Sequence, residues 1–413
     1  MSSIPATAQH ISVLDPADKA QFTRIRLEIL PAHRRELSQA EIERAEYDGF
    51  RALGKNIPFL CRREWTPCEP IAMPLPGDTK SNGLPVIIEY NASLQEQHKP
   101  EWTDEVFRAA QRILPRLAGS RARVPSYAEA VALSRGGSGG SLFNGICYRL
   151  LAQHLVQGEG EKAGQRARLK LSFGVGGYFD YLNTTEVLAH EAAAGDGREI
   201  RTAAGHWLAD LHRRHAGSGI CALTLIRKAN GELEFLMMDR SRSQVNTALG
   251  LIHVRPAGEF QPLSEKPHQF AEECNLWYVL LRESAEEIGG LNMPRHFADL
   301  REFLAFDGIA AMIEAARSGG WRTYYLGFGF DPLNYKPEFL LCSVIEEPTF
   351  RALLPKFQRD FSEGNGFQGG GDFGLRFCAS SVDGLLTHPR LHPAAAACLS
   401  LARKHEGVLL RRG

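Results

Sequence analysis

In the stretch LLRESAEEIGG, Leu280 to Gly290, an arginine, Arg282, stands beside three glutamates, Glu283, Glu286 and Glu287. On a helix, at about 100° per residue, the three carboxylates fall within one arc, and Trp277, Leu281, Ala285 and Ile288 fall opposite. Like charges three and four residues apart disfavour a helix by about 0.2–0.5 kcal/mol per pair, so something must offset them. Arg282 can neutralise one carboxylate. A hard divalent cation such as Mg²⁺, which seeks oxygen ligands, would use the whole cluster. The same residues also suit a solvated, Glu-rich face of a surface helix, and the surrounding elements have to decide between the two readings.

A chain of 413 residues is too long for one ordinary core and suggests two or three domains. Lysine plus arginine number 48 and aspartate plus glutamate 48, so no net field favours a polyanion or an acidic membrane surface, and nucleic acid is not the expected partner. The eight cysteines are scattered without CxxC pairs, as reduced thiols of a cytoplasmic protein would be. The start, MSSIPATAQHISVLDPADK, lacks a signal-type apolar core, and no later apolar run reaches the roughly 18 residues of a membrane span.

The elements that must position the acidic stretch can be read in outline. Asp15 before Pro16 marks a helix start, and the charged helical pattern continues to Leu53, with Ser38 and Glu41 spaced to open a second helix as a capping box. Four prolines, Pro67, Pro70, Pro74 and Pro76, then impose an extended path. Val86 to Tyr90 is a strand candidate and Trp102 to Leu117 a helix. Leu169 to Glu191 reads as a strand, a glycine turn and a helix that Asn183 and Glu186 could cap. After Gly217, two apolar strands flank Lys228-Ala229-Asn230-Gly231, a hairpin turn. Gly250 to Pro262 forms a third strand entering a Pro-Ala-Gly turn, and the acidic helix follows. Two further strands surround Asp331-Pro332, and HPAAAACLSLARKHEG closes the chain as a helix. Strands before and after one acidic helix predict an α+β or α/β architecture in which the Trp277 face packs on a sheet. The divisions read as 1–133, helical and extended; 134–216, a glycine-rich connection with an α/β segment; and 217–413, the domain carrying the acidic helix.

Three other stretches invite chemistry. SRGGSGGS, Ser134 to Ser141, lacks the Gly-Lys-Ser/Thr ending of a phosphate loop, and FGVGG lacks the full dinucleotide spacing. His206, Asp210, His212 and His215 lie on a helical pattern without the glutamate of a zinc motif, which favours a solvated basic helix end.

With these residues in view, RESAEEIGG resembles the second half of the Nudix box, G-x5-E-x7-R-E-U-x-E-E-x-G-U, with Arg282, Glu283, Glu286, Glu287 and Gly289 at the family's spacing. Ser284 and Gly290 stand where aliphatics are usual. Gly258 in PAGEFQP resembles the glycine that opens the box, but 23 residues separate it from Arg282, about ten more than the pattern has. Neither count, forward from Gly258 to Ser264 or back from Arg282 to Cys274, lands on the early glutamate. The chain from about Leu169 onward is also similar to longer bacterial proteins with a Nudix-like C-terminal half, through GYFDYLNTTEVLAHE, the FQP turn, the tryptophan-bearing RExxEE helix and GFDPLNYKPE. Some of these carry a DNA-binding helix-turn-helix. No recognition-helix pattern occurs in the first 130 residues here, so DNA binding is not carried over.

The resemblance implies a Nudix-like mixed sheet sandwiched by helices, and Mg²⁺-dependent (or Mn²⁺-dependent) cleavage of a pyrophosphate linkage in a nucleoside diphosphate derivative. It implies Glu286 and Glu287 as principal metal ligands and Glu283 as ligand or base, with Arg282 holding Glu283 by a salt bridge. The Gly258 carbonyl becomes a further ligand and Glu338 an additional acidic residue. The alternative is a Nudix-fold module that binds a nucleotide, as sensor or effector, without turning it over. Which nucleotide, and the oligomeric state, stay open.

Overall fold

The computed structural model describes residues 13–44, 50–54, 57–74, 86–97, 104–135, 142–156, 168–195, 197–203, 211, 214–240, 248–354, 360–361, 364–366 and 371–411. Its spine is three long strands. Trp321–Phe330 runs antiparallel to Pro337–Glu346, which runs parallel to Gly219–Arg227. Almost every residue of the three is buried, which is why they read as continuous apolar runs rather than as alternating ones. Successive side chains nonetheless serve opposite faces. Cys221, Leu223 and Leu225 pack with Ala395, Cys398 and Leu401 of the helix Pro393–Lys404, while Ile220, Ala222 and Ile226 join the core of Trp277, Leu281 and Ile309. The acidic helix therefore packs its tryptophan side on the sheet, as the opposed faces predicted, and the architecture is α+β with a curled mixed sheet.

Among the described residues this sheet has nine strands. The hairpin at Gly231, φ +86°, turns Gly219–Arg227 into Leu233–Phe235. The short strand Ala257–Glu259 pairs with the other end of the same edge. On the far side, Arg51–Gly54, Ile57–Cys61 and Ile71–Ala72 extend the sheet next to Trp321–Phe330, where Trp65 lies 5.5 Å from Phe328 between ring centres. A separate three-stranded sheet, Val86–Tyr90, Arg168–Gly177 and Ile146–Val156, docks through backbone bonds such as Tyr148 N–H to the Phe260 carbonyl, 2.8 Å. A small third sheet contains Met237–Asp239 and Ile252–Val254.

Several local expectations are corrected. No second helix starts at Ser38: the helix capped by Asp15 continues through a wide turn at Ile25–Ile29 into Leu30–Arg44, and Ser38 is buried within it. Arg51–Gly54, expected as helix, is strand. Asn183 does not cap a helix. The helix starts earlier, at Tyr178, where Asp180 accepts from the Gly177 N–H, and Asn183 instead accepts from the Ala128 N–H at 2.9 Å. The expected helix from Trp102 is described only as Asp104–Ala110. Gly250 to Pro262 holds two short strands rather than one. No helix among the described residues is long and apolar enough to cross a membrane.

Candidate functional site

Two glycines open the space in which the site forms. Gly258 pairs with Ile220 across the sheet, and a Cβ there would lie 2.1 Å from the Glu283 carboxyl carbon. Gly219 pairs with Glu259 on one side and with Glu338 on the other. A Cβ at Gly219 would come within 2.5 Å of Glu338 Oε2 and 2.8 Å of Lys336 Nζ. Only hydrogen side chains let the charged groups lie this close to the sheet.

The groups line a cavity of about 280 Å³. Gly258, Glu259, Glu283, Glu286, Lys336 and Glu338 form one wall. Arg34, Tyr178, Tyr181, Glu186 and Asn334 also line the cavity, so residues from the N-terminal helix and the middle of the chain share it with the acidic helix. Arg240, His253 and His392 are among the remaining lining residues. Of the sequence candidates, Gly258, Glu283, Glu286 and Glu338 are brought together.

The acidic helix spans Leu276–Glu283 and continues in a wide turn, Ser284–Ile288, closed by the Gly289 N–H on the Ser284 carbonyl at 3.0 Å. That turn has more residues than an α turn, so the arc drawn at 100° per residue does not hold past Glu283. Glu287 parts from the other two. It is buried, is not among the cavity residues, accepts from the Ala257 N–H at 3.0 Å, and its own carbonyl accepts from Arg255. Arg282 is also corrected. It pairs with Glu286, Nε to Oε1 3.3 Å, not with Glu283, and donates further to the carbonyls of Pro294 and Arg295.

Lys336 is the residue the sequence reading missed that organises most of this wall. Its Nζ sits 2.9 Å from Glu259 Oε1 and 3.2 Å from Glu338 Oε1. Burial pushes its pKa down, but the two carboxylates outweigh it and hold the ammonium above its ordinary value. Glu338 is pushed up to about 7, first by burial and then by the Glu259 charge, against the pull of Lys336. Its Oε2 accepts from the Cys221 thiol at 3.4 Å, and burial raises the pKa of that thiol too. Burial also raises Glu186, which accepts from Asn334 at 2.9 Å and Tyr181 at 3.3 Å. His253 and His392, with ring centres 4.4 Å apart, are held far below the usual histidine range by burial and by their cationic neighbours.

A signal for the missed residues existed: Glu259 follows Gly258 directly, and Lys336 lies inside GFDPLNYKPE. Arg34 and Glu186 carried none, because only the fold brings their helices here. The aromatic side chains Phe260, Trp321, Tyr324, Tyr325, Phe328 and Phe330 are all buried and line no part of the cavity; Phe143, Tyr178 and Tyr181 do. His215 is fully buried, while His206, Asp210, His212 and most of SRGGSGGS lie outside the described residues.

For a divalent ion the donor chemistry fits: carboxylate oxygens and a backbone carbonyl suit Mg²⁺ or Mn²⁺. Glu259 Oε2 is buried without a hydrogen-bond partner, which leaves an anionic oxygen in want of a cation. No three His, Cys, Asp or Glu side chains among the described residues already converge on one point, however, and the cation now among the carboxylates is Lys336. No protein-family model matches the chain, and no curated protein sequence does.

Proposed function

We propose that the chain is a Nudix-type hydrolase that cleaves a pyrophosphate linkage in a nucleoside diphosphate derivative, on a Nudix-like sheet sandwiched by helices. The observation that carries the reading is the convergence of Gly258, Glu283, Glu286 and Glu338, from three separate segments, on one cavity. Glu283 and Glu286, with the Gly258 carbonyl, would hold Mg²⁺, which when bound neutralises phosphoryl oxygens. Glu338, pushed up to about 7, is placed to exchange a proton near neutral pH. Arg240 and Arg34, the latter paired with Asp331, also line the cavity and could donate to phosphoryl oxygens. We place the protein in the cytoplasm, in keeping with its eight free cysteines.

The test is a screen of the purified full chain with Mg²⁺ against nucleoside diphosphate derivatives, with Glu286→Gln as control. Turnover that depends on the metal and falls at least tenfold in the variant supports the reading. A second reading rests on Lys336, which already neutralises part of the acidic wall: a nucleotide-binding sensor or effector without turnover. Thermal stabilisation by a nucleotide, with no product formed from any of the panel, would select it.

A further inference from the structure

We propose that the Lys336 ammonium is a built-in cation that takes the place of a divalent ion between Glu259 and Glu338, so that metal in this cavity is confined to the side of Glu283 and Glu286. The inference rests on the metal-dependent reading above and specifies its ion count. Lys336 is buried by more than its stem: its side chain is 12% exposed, and Nζ contacts one oxygen of each carboxylate. The turn before it is built to aim it there. Asn334 accepts from the Lys336 N–H at 3.0 Å, the Lys336 carbonyl accepts from the Asp331 N–H at 3.0 Å, and Tyr335 takes a left-handed φ of +54°. That conformation costs a non-glycine residue about 1–3 kcal/mol, and the Arg214 bond to the Tyr335 carbonyl, 2.8 Å, helps hold it.

The fit is matched on the sheet. Glu259, Gly219 and Glu338 are in register on three adjacent strands, and the missing side chain in the middle is the space that Nζ and Glu338 Oε2 fill. An ammonium bridges the two carboxylates at hydrogen-bond distance, whereas Mg²⁺ or Mn²⁺ would need oxygens at about 2.0–2.2 Å and a place free of the lysine. One ammonium is shared between the two carboxyl groups, and Glu259 Oε2 keeps its lone pairs without a partner. Removal of the lysine therefore exposes a second oxygen-lined site instead of merely deleting a contact.

The experiment counts Mn²⁺ bound to the full chain at neutral pH, from the electron paramagnetic signal of free Mn²⁺ during titration with MnCl₂. The wild type is expected to bind one ion, Lys336→Ala two, and Lys336→Arg one. Adding Glu259→Gln to Lys336→Ala should return the count to one. If Lys336→Ala is unfolded without metal, the expectation becomes recovery of its native circular dichroism on adding Mn²⁺, and no recovery counts against the proposal. Two ions in the wild type, or one ion of unchanged affinity in Lys336→Ala, overturns it. No ion in the wild type but one in Lys336→Ala leaves the built-in cation standing and removes the metal from the hydrolase reading. No ion in either overturns both.

Discussion

Gly258 and Glu287 show how single positions in the acidic cluster divide their labour. Replacing Gly258 by Ala would put a methyl group 2.1 Å from the Glu283 carboxyl carbon, so the glutamate must move. The clash is with the far end of a flexible side chain, so the fold can absorb it while the carboxylate is displaced. The expected outcome is a folded protein whose Mn²⁺ affinity falls at least tenfold; unchanged affinity would detach Glu283 from the metal. Glu287 predicts the opposite profile. Glu287→Ala strips the Ala257 N–H of its buried acceptor, a loss of about 1–3 kcal/mol, so the urea midpoint should drop before metal binding does. Glu286→Gln, on a half-buried residue at the cavity, should lose metal-dependent turnover with little change in that midpoint.

At the scale of elements, the acidic helix depends on its two ends. Asn275 caps it, its side chain accepting from the Trp277 N–H at 2.9 Å, and Gly290, φ +61°, ends it. Asn275→Ala is expected to cost about 1 kcal/mol and Asn275→Asp nearly nothing, measured by chemical denaturation. Equal losses in both would show that the amide nitrogen, which Asp lacks, matters and the cap bond does not. The opposed faces of this helix were legible because period 3.6 survives up to Glu283. The wide turn after it was not, because it is a property of the hydrogen-bond ladder and leaves no periodicity. That is why the arc drawn from the sequence grouped Glu287 with the cavity residues, whereas the pairing of Arg282 with Glu283 came from the family resemblance alone and gave way to the i,i+4 pair with Glu286. Strand pairs joined by a short turn, such as Gly219–Arg227 with Leu233–Phe235, were legible for the same local reason. The helix starts assigned to Ser38 and Asn183 failed for different reasons: the helix Leu30–Arg44 runs straight through Ser38, and Asn183 is engaged by the Ala128 N–H.

Across the whole molecule, the site and the core both require distant parts of the chain. Arg34 pairs with Asp331 at 2.5 Å in the interior, and the strand Trp321–Phe330 is flanked by strands from residues 51–72. A fragment of residues 217–413 would bare that edge and is expected to aggregate; a monodisperse fragment would show that the halves fold independently.

The buried histidines make an acid limit for the same interior. His190, His215, His253 and His392 are each at most 5% exposed, and burial, aided by neighbouring arginines or lysine, pushes all four below their ordinary range, His190 to about 3. The unfolded chain protonates each near pH 6.5, while the folded chain does not. Their contribution is thus fully present above that pH and is lost as pH falls below it. Glu338, Glu186 and Glu191, all raised by burial, run the other way, because their folded forms take up a proton before the unfolded ones do, and so offset part of that loss. Urea midpoints at pH 7.5, 6.5 and 5.5 should fall, most steeply over the last interval. His190→Phe, whose ring can keep the 4.7 Å stack on Phe22 though not the 3.5 Å contact of Nδ1 with the Tyr127 hydroxyl, should flatten the slope by one proton's worth, whatever it does to the midpoint at pH 7.5. A wild-type midpoint constant over this range would mean that the four imidazoles take up protons in the folded state, and with them that water or an anion reaches the interior.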